Sequence, residues 1–405
     1  MSMHIVHFAD AHIGTELHGR LDPETLLNTR LLDFTRRLDE IVDFAIGNEV
    51  DLVLFAGDAF KSRDPSPTHQ REFARRIRRL SEAGIPLFLL VGNHDVAAAS
   101  GRATSVDIYA TLGVEGVTVG DVPKTYIVST RAAGPLQIVA LPWLRPSAIQ
   151  AWPAYRDRSI QDIREGLEQI ASNYIDEACK RLDPAMPAIF CGHLTVDGAV
   201  LGNERSAILG DDVSLTRSTI ARPQFAYVAL GHIHKHQVLQ SDPPVVYAGS
   251  IDRVDFGEED DAKGFVDLRL EGGRASWQFH AMPVRQFVTI RAAPSPLDAT
   301  GSILEEIRRH PIDGAIVRLY YDTDPDLDPQ IDRAAIRAAL IPAFSIAGII
   351  PQVRRSDRRA GGAQFERLTP IDALDHYLAQ RDLAADRRVR LRALATELDA
   401  EIDRA

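Results

Sequence analysis

The chain has 405 residues, is 45% hydrophobic and 25% charged, and carries a formal net charge of −11. That composition suits a globular protein with one large domain and one or two small ones. The acidic balance argues against a general nucleic-acid binder, because phosphate contacts draw on Lys and Arg, although carboxylates that hold cations create a positive site once loaded.

No apolar run approaches the ~18–20 residues needed to span a bilayer, and the opening MSMHIVHFAD lacks a signal-peptide pattern. Cys179 and Cys191 are too few for a disulfide framework. The expectation is a cytoplasmic protein with reduced thiols and no membrane partner.

In chain order, Ile5–Ala9, Leu52–Ala56, Leu87–Val91, Ile138–Leu141, Ala188–Cys191 and Tyr227–Leu230 are short apolar runs bounded by Gly, Pro, Asp or His. Such runs are buried strands. Leu31, Phe34, Leu38, Ile41, Val42 and Ala45 recur at helical spacing, as do Ile160, Ile163, Leu167, Ile170 and Tyr174. A basic segment, His69–Arg79, reads either as a phosphate-binding stripe or as the solvated face of an amphipathic helix. Strands alternating with helices give an α/β layered architecture. Val245–Ala248, Gly264–Leu270 and Ser276–Ala281 follow one another closely, which predicts a second sheet with antiparallel pairing.

A boundary is expected at Pro283–Val288, closing a main domain of residues 1–283. Residues 284–353 then alternate strands (Phe287–Ile290, Ile316–Tyr321) with helices near Leu297–Arg309 and Gln330–Leu340, a small α+β unit. Residues 354–368 read as a polar linker and 369–405 as a helical tail. The tail opens on Thr369 as N-cap, Pro370 at the first helical position and the acid Asp372. Its last helix places Leu391, Leu394, Leu398 and Ile402 on one face. It is too short for a core of its own, so it packs on the body or binds a partner.

Five signatures stand directly after apolar runs: Asp10-Ala11-His12, Gly57-Asp58, Gly92-Asn93-His94-Asp95, Gly192-His193 and Gly231-His232-Ile233-His234. Each alone is commonplace, since a strand-end His is usually a satisfied core residue and Gly-Asp usually a turn. Apolar strands feeding oxygen and imidazole donors five times over need a common cause, and a metal cluster is that cause.

The set resembles the calcineurin-like metallophosphoesterase superfamily, and more closely the SbcD-type DNA repair nucleases, bacterial relatives of the meiotic-recombination nuclease. Phe8–Gly14, Ala56–Phe60, the Asp64-Pro65-Ser66-Pro67 loop and Tyr247–Glu258 carry the closer likeness, which extends over about residues 3–270. The resemblance implies a two-sheet αββα sandwich, a capping domain over a DNA groove at 284–353, and a partner-binding tail. It implies that Asp10, His12 and His234 hold one metal, that Asn93, His193 and His232 hold a second, and that Asp58 bridges them. Two manganese ions are expected, with iron, zinc or magnesium as alternatives. His94 is expected beside the scissile phosphate without ligating, where it stabilises the transition state or protonates the leaving oxygen. Asp95 either orients His94 or caps the segment after it.

Lys61 departs from the family, which often has His or Asp there; it replaces a phosphate contact, together with Arg63, or marks altered exonuclease capacity, or is simply an exposed loop lysine. His236 falls beyond the family pattern and is read as solvated or supporting, not as a ligand. The function implied is a manganese-dependent exo- or endonuclease of double-strand-break repair, homodimeric, paired with an SMC-type, SbcC-like ATPase through the C-terminal helices. Consistent with a separate ATPase, the sequence has no G-x-x-x-x-G-K-[ST] loop and no long heptad array. The alternative is a phosphoesterase of small molecules, nucleotides or phosphoproteins with the same active site. A non-enzymatic scaffold fits poorly, because all eight residues of the mechanism are intact.

Overall fold

The computed structural model describes residues 2–96, 102–145, 149, 155–156, 158–202, 213–353, 369–379 and 385–402. The expected linker at 354–368 lies outside these residues, as do the side chains of Leu398 and Ile402.

Strands β1 (Ser2–Phe8), β2 (Leu52–Phe55), β3 (Leu87–Leu90), β4 (Val117–Gly120), β5 (Lys124–Ser129), β6 (Pro135–Leu141), β7 (Ala188–His193), β8 (Thr195–Val196), β9 (Ser214–Leu215), β10 (Tyr227–Gly231), β11 (Gln237–Ser241), β12 (Pro244–Tyr247), β13 (Gly264–Glu271) and β14 (Arg274–Ala281) belong to the main body. They form two six-stranded sheets, β14-β13-β1-β2-β3-β4 and β11-β12-β10-β7-β6-β5, beside the short β8–β9 pair. β1 to β4 run parallel to one another, as do β6, β7, β10 and β12. Antiparallel pairing falls at the edges. The second sheet has it at β5 and β11, whereas the β13–β14 hairpin, expected in the second sheet, joins the first beside β1. β12 instead pairs parallel to β10. Burial explains the placement: Val266, Leu268 and Leu270 of β13 alternate into the same inter-sheet core as Met3 and Ile5 of β1.

That alternation builds four layers. Leu52, Leu54 and Ala56 point between the sheets, while Val53 and Phe55 point outward onto Leu31, Phe34 and Leu38 of the helix Thr29–Gly47. On the far side, Val139, Phe190 and Val228 meet Ile163, Leu167 and Ile175 of the helix Ile160–Arg181. Strands buried on both faces have no polar positions to spare, so they read as unbroken apolar runs. The second helix is entered through a capping box between Ser159 and Asp162. The helix Pro67–Glu82 starts with Ser66 as N-cap and Pro at its first turn.

Beyond the body, β15 (Phe287–Ala292), β16 (Ile316–Thr323) and β17 (Ser345–Val353) form a parallel three-stranded sheet. The helices Ala299–Arg308 and Arg333–Ala339 connect them, and Ile290, Ile303, Val317, Leu319 and Ile336 make a separate core. Arg285 ties this unit to the body through two hydrogen bonds of 2.8 Å to Asp33. Asp33 also accepts from the fully buried Arg30 at 2.8 Å. In the tail, Asp372 N donates to Thr369 Oγ1 at 3.2 Å, as the cap pattern predicts, and opens the helix Pro370–Ala379. Arg392 of the helix Ala385–Ile402 pairs with Asp375 at 3.0 Å, and Val389 and Leu394 stay exposed. No described helix is long and apolar enough to cross a membrane.

His7 sits wholly inside the sandwich, with Nδ1 3.1 Å from Tyr227 Oη and Nε2 without a partner. Burial, with a smaller push from His236, lowers its pKa from 6.5 to about 3. The unfolded chain therefore binds this proton more readily, so the associated stability is complete above pH 6.5 and is lost as pH falls toward 3. His7→Phe is expected to lose less melting temperature than wild type between pH 7 and pH 5. Parallel losses in thermal melts at the two pH values would contradict this assignment.

Candidate metal centre

Parallel neighbours end at the same edge, so the loops after β1, β2 and β3 meet those after β7 and β10 across the top of the sandwich. Glycines let these loops come together. A Cβ on Gly92 would lie 2.2 Å from Asp58 Oδ1, and one on Gly231 would lie 2.2 Å from the Ala56 carbonyl oxygen. Among described non-glycine residues, seven have positive φ, and four of them are Asp10, His12, Asp58 and His232. Each such residue costs on the order of 1–3 kcal/mol, so the strain is concentrated where the motifs are.

All eight expected side chains converge. Asp10, His12, Asp58, His193, His232 and His234 are buried, and Asn93 and His94 are half-buried. Three groups bring ligand atoms within 4.8 Å of one another: Asp10, His12 and His234; Asp10, Asp58 and His193; and His12, Asp58 and His94. Asp58 lies between the two ends, with Oδ2 3.6 Å from His12 Nε2 and Oδ1 3.5 Å from His193 Nε2. Asn93 Oδ1 is 2.9 Å from His193 Nε2 and 3.2 Å from His232 Nδ1. Asp10 accepts the His232 amide at 3.1 Å on both oxygens.

The far nitrogens decide what the near ones are. His193 Nδ1 donates to the Ala56 carbonyl at 2.7 Å, and His234 Nδ1 donates to Glu258 Oε1 at 2.7 Å. Both partners only accept, so each Nδ1 carries the proton and each Nε2 is a lone pair in the neutral ring. His193 Nε2 then faces Asn93 Oδ1 and Asp58, and His234 Nε2 faces His12 Nε2 at 2.8 Å. Lone pairs that converge at such distances need a proton or a cation between them. The pKa shifts differ around the cluster: burial holds His12 well below the ordinary imidazole range and lowers His94 as well. Burial disfavours a charged His193, but Asp58 beside it prevails and raises its pKa to about 9. Burial also pushes Asp58 toward neutrality, yet the imidazoles of His193, His94 and His12 hold it well below the carboxylate range. Burial lifts Asp10 to about 6 despite the imidazoles around it. Oxygen and imidazole donors without thiolates suit hard to borderline divalent cations, so the donor set fits the expected metals.

His94 is aimed by a residue other than its neighbour. Its Nδ1 donates to the Lys61 carbonyl at 2.9 Å, and its amide donates to Asp58 Oδ1 at 2.8 Å. Asp95 instead clamps the loops, accepting from the amides of Asp58 (2.9 Å), Ala59 (3.0 Å) and Gly92 (3.0 Å) and from Ser105 Oγ (3.1 Å). The Lys61 and Arg63 side chains are exposed. His236 stacks on Phe279 at 3.9 Å and donates Nδ1 to the Tyr247 carbonyl, as a supporting residue would. The arginines of His69–Arg79 are all paired, Arg71, Arg75 and Arg76 with Glu72, Arg76 and Arg79 with Asp39, and Arg78 with Glu82. The helix is amphipathic, with Phe73, Ile77 and Leu80 buried. Three residues escaped the sequence reading. Trp143 has its ring 5.0 Å from His232, and Glu258 and Lys263 lie behind His234. Only Glu258 had a signal, as the end of the Tyr247–Glu258 stretch.

Removing the Asp95 clamp strands three buried amides at about 1–3 kcal/mol each. Asp95→Ala is expected to lower unfolding free energy by about 3 kcal/mol or more. A loss below about 1 kcal/mol in denaturant titration would show that the loops are held some other way.

Residues 3–236 match the family model of the calcineurin-like phosphoesterases. The SbcD component of the nuclease SbcCD from Escherichia coli K12 is 29% identical over 262 residues, covering 63% of this chain and 62% of that protein. The O157:H7 counterpart matches equally. The chain thus spans less than two thirds of the length of these relatives. Among solved structures, a dimetal phosphatase from Danio rerio covers 69% of this chain and 96% of its own, at 11% identity and TM-score 0.40. A purple acid phosphatase from yellow lupin covers 69% and 52%, at 11% identity and TM-score 0.41. Both likenesses are loose. The family model covers more than half the chain and all eight converging residues, and this chain belongs to the calcineurin-like phosphoesterase family.

Proposed function

We propose that the protein is a two-metal phosphodiesterase that cuts DNA, the nuclease half of a two-component complex. The observation that carries the chemistry is Asp58 standing between two ligand groups, with one oxygen toward each. Asp10, His12 and His234 would hold one ion and Asn93, His193 and His232 the other, with Asp58 shared and manganese the expected metal. When bound, the pair would lower the pKa of water and neutralise charge on the phosphoryl group.

The chain's own residues supply the rest. With Nδ1 committed to the Lys61 carbonyl, His94 presents Nε2 to the leaving oxygen and either protonates it or stabilises its charge. Lys61 and Arg63, exposed beside this loop, offer point charges to flanking phosphates. The relatives are one component of a nuclease, SbcCD, which supports a nucleic acid as substrate and a second chain as partner. The resemblance to DNA repair nucleases narrows the substrate to DNA. On this reading residues 1–283 are the nuclease domain, 284–353 the capping domain and 369–405 the partner-binding tail, whose Val389 and Leu394 are exposed.

Manganese-dependent cleavage of end-labelled linear and hairpin DNA, run beside a generic phosphodiester and a phosphomonoester, tests the proposal. DNA cutting that requires manganese and falls about 10²–10⁴-fold in His94→Gln is expected. Hydrolysis of the small esters alone, with or without an SMC-type partner, would overturn it in favour of a small-molecule phosphoesterase.

A further inference from the structure

The Tyr247–Glu258 stretch, conspicuous in the sequence, has no part in the chemistry above. It folds behind His234 and ends in a carboxylate with almost no exposure. Glu258 is 3% exposed and Lys263 1%. Glu258 Oε1 accepts from His234 Nδ1 at 2.7 Å. Its Oε2 lies 2.8 Å from Lys263 Nζ and accepts the Val254 amide at 3.0 Å. Lys263 Nζ donates also to the His234 carbonyl at 2.9 Å. His234 is thus held at ring and backbone by one buried ion pair.

Burying such a pair is costly in desolvation unless its hydrogen bonds are complete, and here both carboxylate oxygens are engaged. The loop is fixed on its far side as well. Arg253 Nε donates to the Glu258 carbonyl at 2.9 Å and Nη1 donates to the Arg285 carbonyl at 3.0 Å. Phe256 packs on Phe287 at 4.9 Å, beneath the Arg318 guanidinium at 4.1 Å.

We propose that Glu258, braced by Lys263, is the positioning residue for His234: it fixes the Nδ1–H tautomer and ring orientation, so that Nε2 is offered to the first metal ready-made. The inference rests on the metal-site reading above. A carboxylate behind a ligand histidine raises its basicity and removes the freedom of the ring to turn, and losing such a partner typically weakens metal binding about 10–100-fold.

Two measurements on the full chain test this. In metal-free protein labelled with ¹⁵N-histidine, His234, assigned by its loss in His234→Gln, is expected as the Nδ1–H tautomer with a slowly exchanging, downfield ring proton. Calorimetric titration with manganese is expected to show two sites in wild type. In Glu258→Gln one of them should weaken about 10–100-fold while the other stays within about twofold. If Glu258→Gln does not fold, Lys263→Met, which leaves the carboxylate without its counter-charge, is expected to weaken the same single site. An Nε2–H tautomer in wild type, or unchanged manganese binding in a folded variant, would overturn the positioning role. Wild type that binds no manganese would overturn the metal reading instead, with the tautomer measurement still deciding what Glu258 does to His234.

Discussion

Imidazole nitrogens crowd around Asp58, and the upper edge of the sandwich is organised by the proton or cation that sits between them and its carboxylate. Two imidazole nitrogens flank its carboxylate at 3.5 and 3.6 Å. Left alone, acceptors brought this close repel, and burial removes the water that would screen them. Protons satisfy the arrangement in part, which is why His193 holds its proton so tightly. Divalent cations would satisfy it fully, and the backbone strain at Asp10, His12, Asp58 and His232 falls where the candidate ligands converge.

The strain is tolerable because the strands beneath are rigid. β1, β2, β3, β7 and β10 are buried on both faces, so their ends move little relative to one another. Above them a layer of acceptors sets each ring. His193 is set by the Ala56 carbonyl, His94 by the Lys61 carbonyl and His234 by Glu258. In all three the outward nitrogen is committed, so the inward one is the chemical atom. Two of the three setters are backbone carbonyls, which any side chain at position 56 or 61 would supply. The unusual lysine at position 61 therefore leaves the orientation of His94 intact and alters only what its exposed side chain meets.

The sequence revealed what is local and periodic. Apolar runs such as Leu52–Phe55 and Leu87–Leu90 are strands buried on both faces, and the polar motifs after them converge at the strand ends. Edge strands were less legible: β5 and β11 are half-exposed, and β17 mixes Gly348 and Pro351 into a partly exposed run, so neither period two nor continuous hydrophobicity marks them. The β13–β14 hairpin reads as strands in the sequence but its sheet does not, because its partner, β1, is more than 250 residues away. Separation along the chain also hid Lys263, which touches His234 only through the folded chain. Asp95 shows the limit inside a motif. Adjacency to His94 leaves an orienting and a capping role open, and two of the three amides it binds, those of Asp58 and Ala59, belong to a loop that adjacency cannot reveal.

The most direct measurement is anomalous diffraction at the manganese edge from crystals of the full chain grown with manganese. The account requires two peaks sharing Asp58, one against Asp10, His12 and His234 and the other against Asn93, His193 and His232. A single peak, or two peaks of which neither touches Asp58, would contradict it.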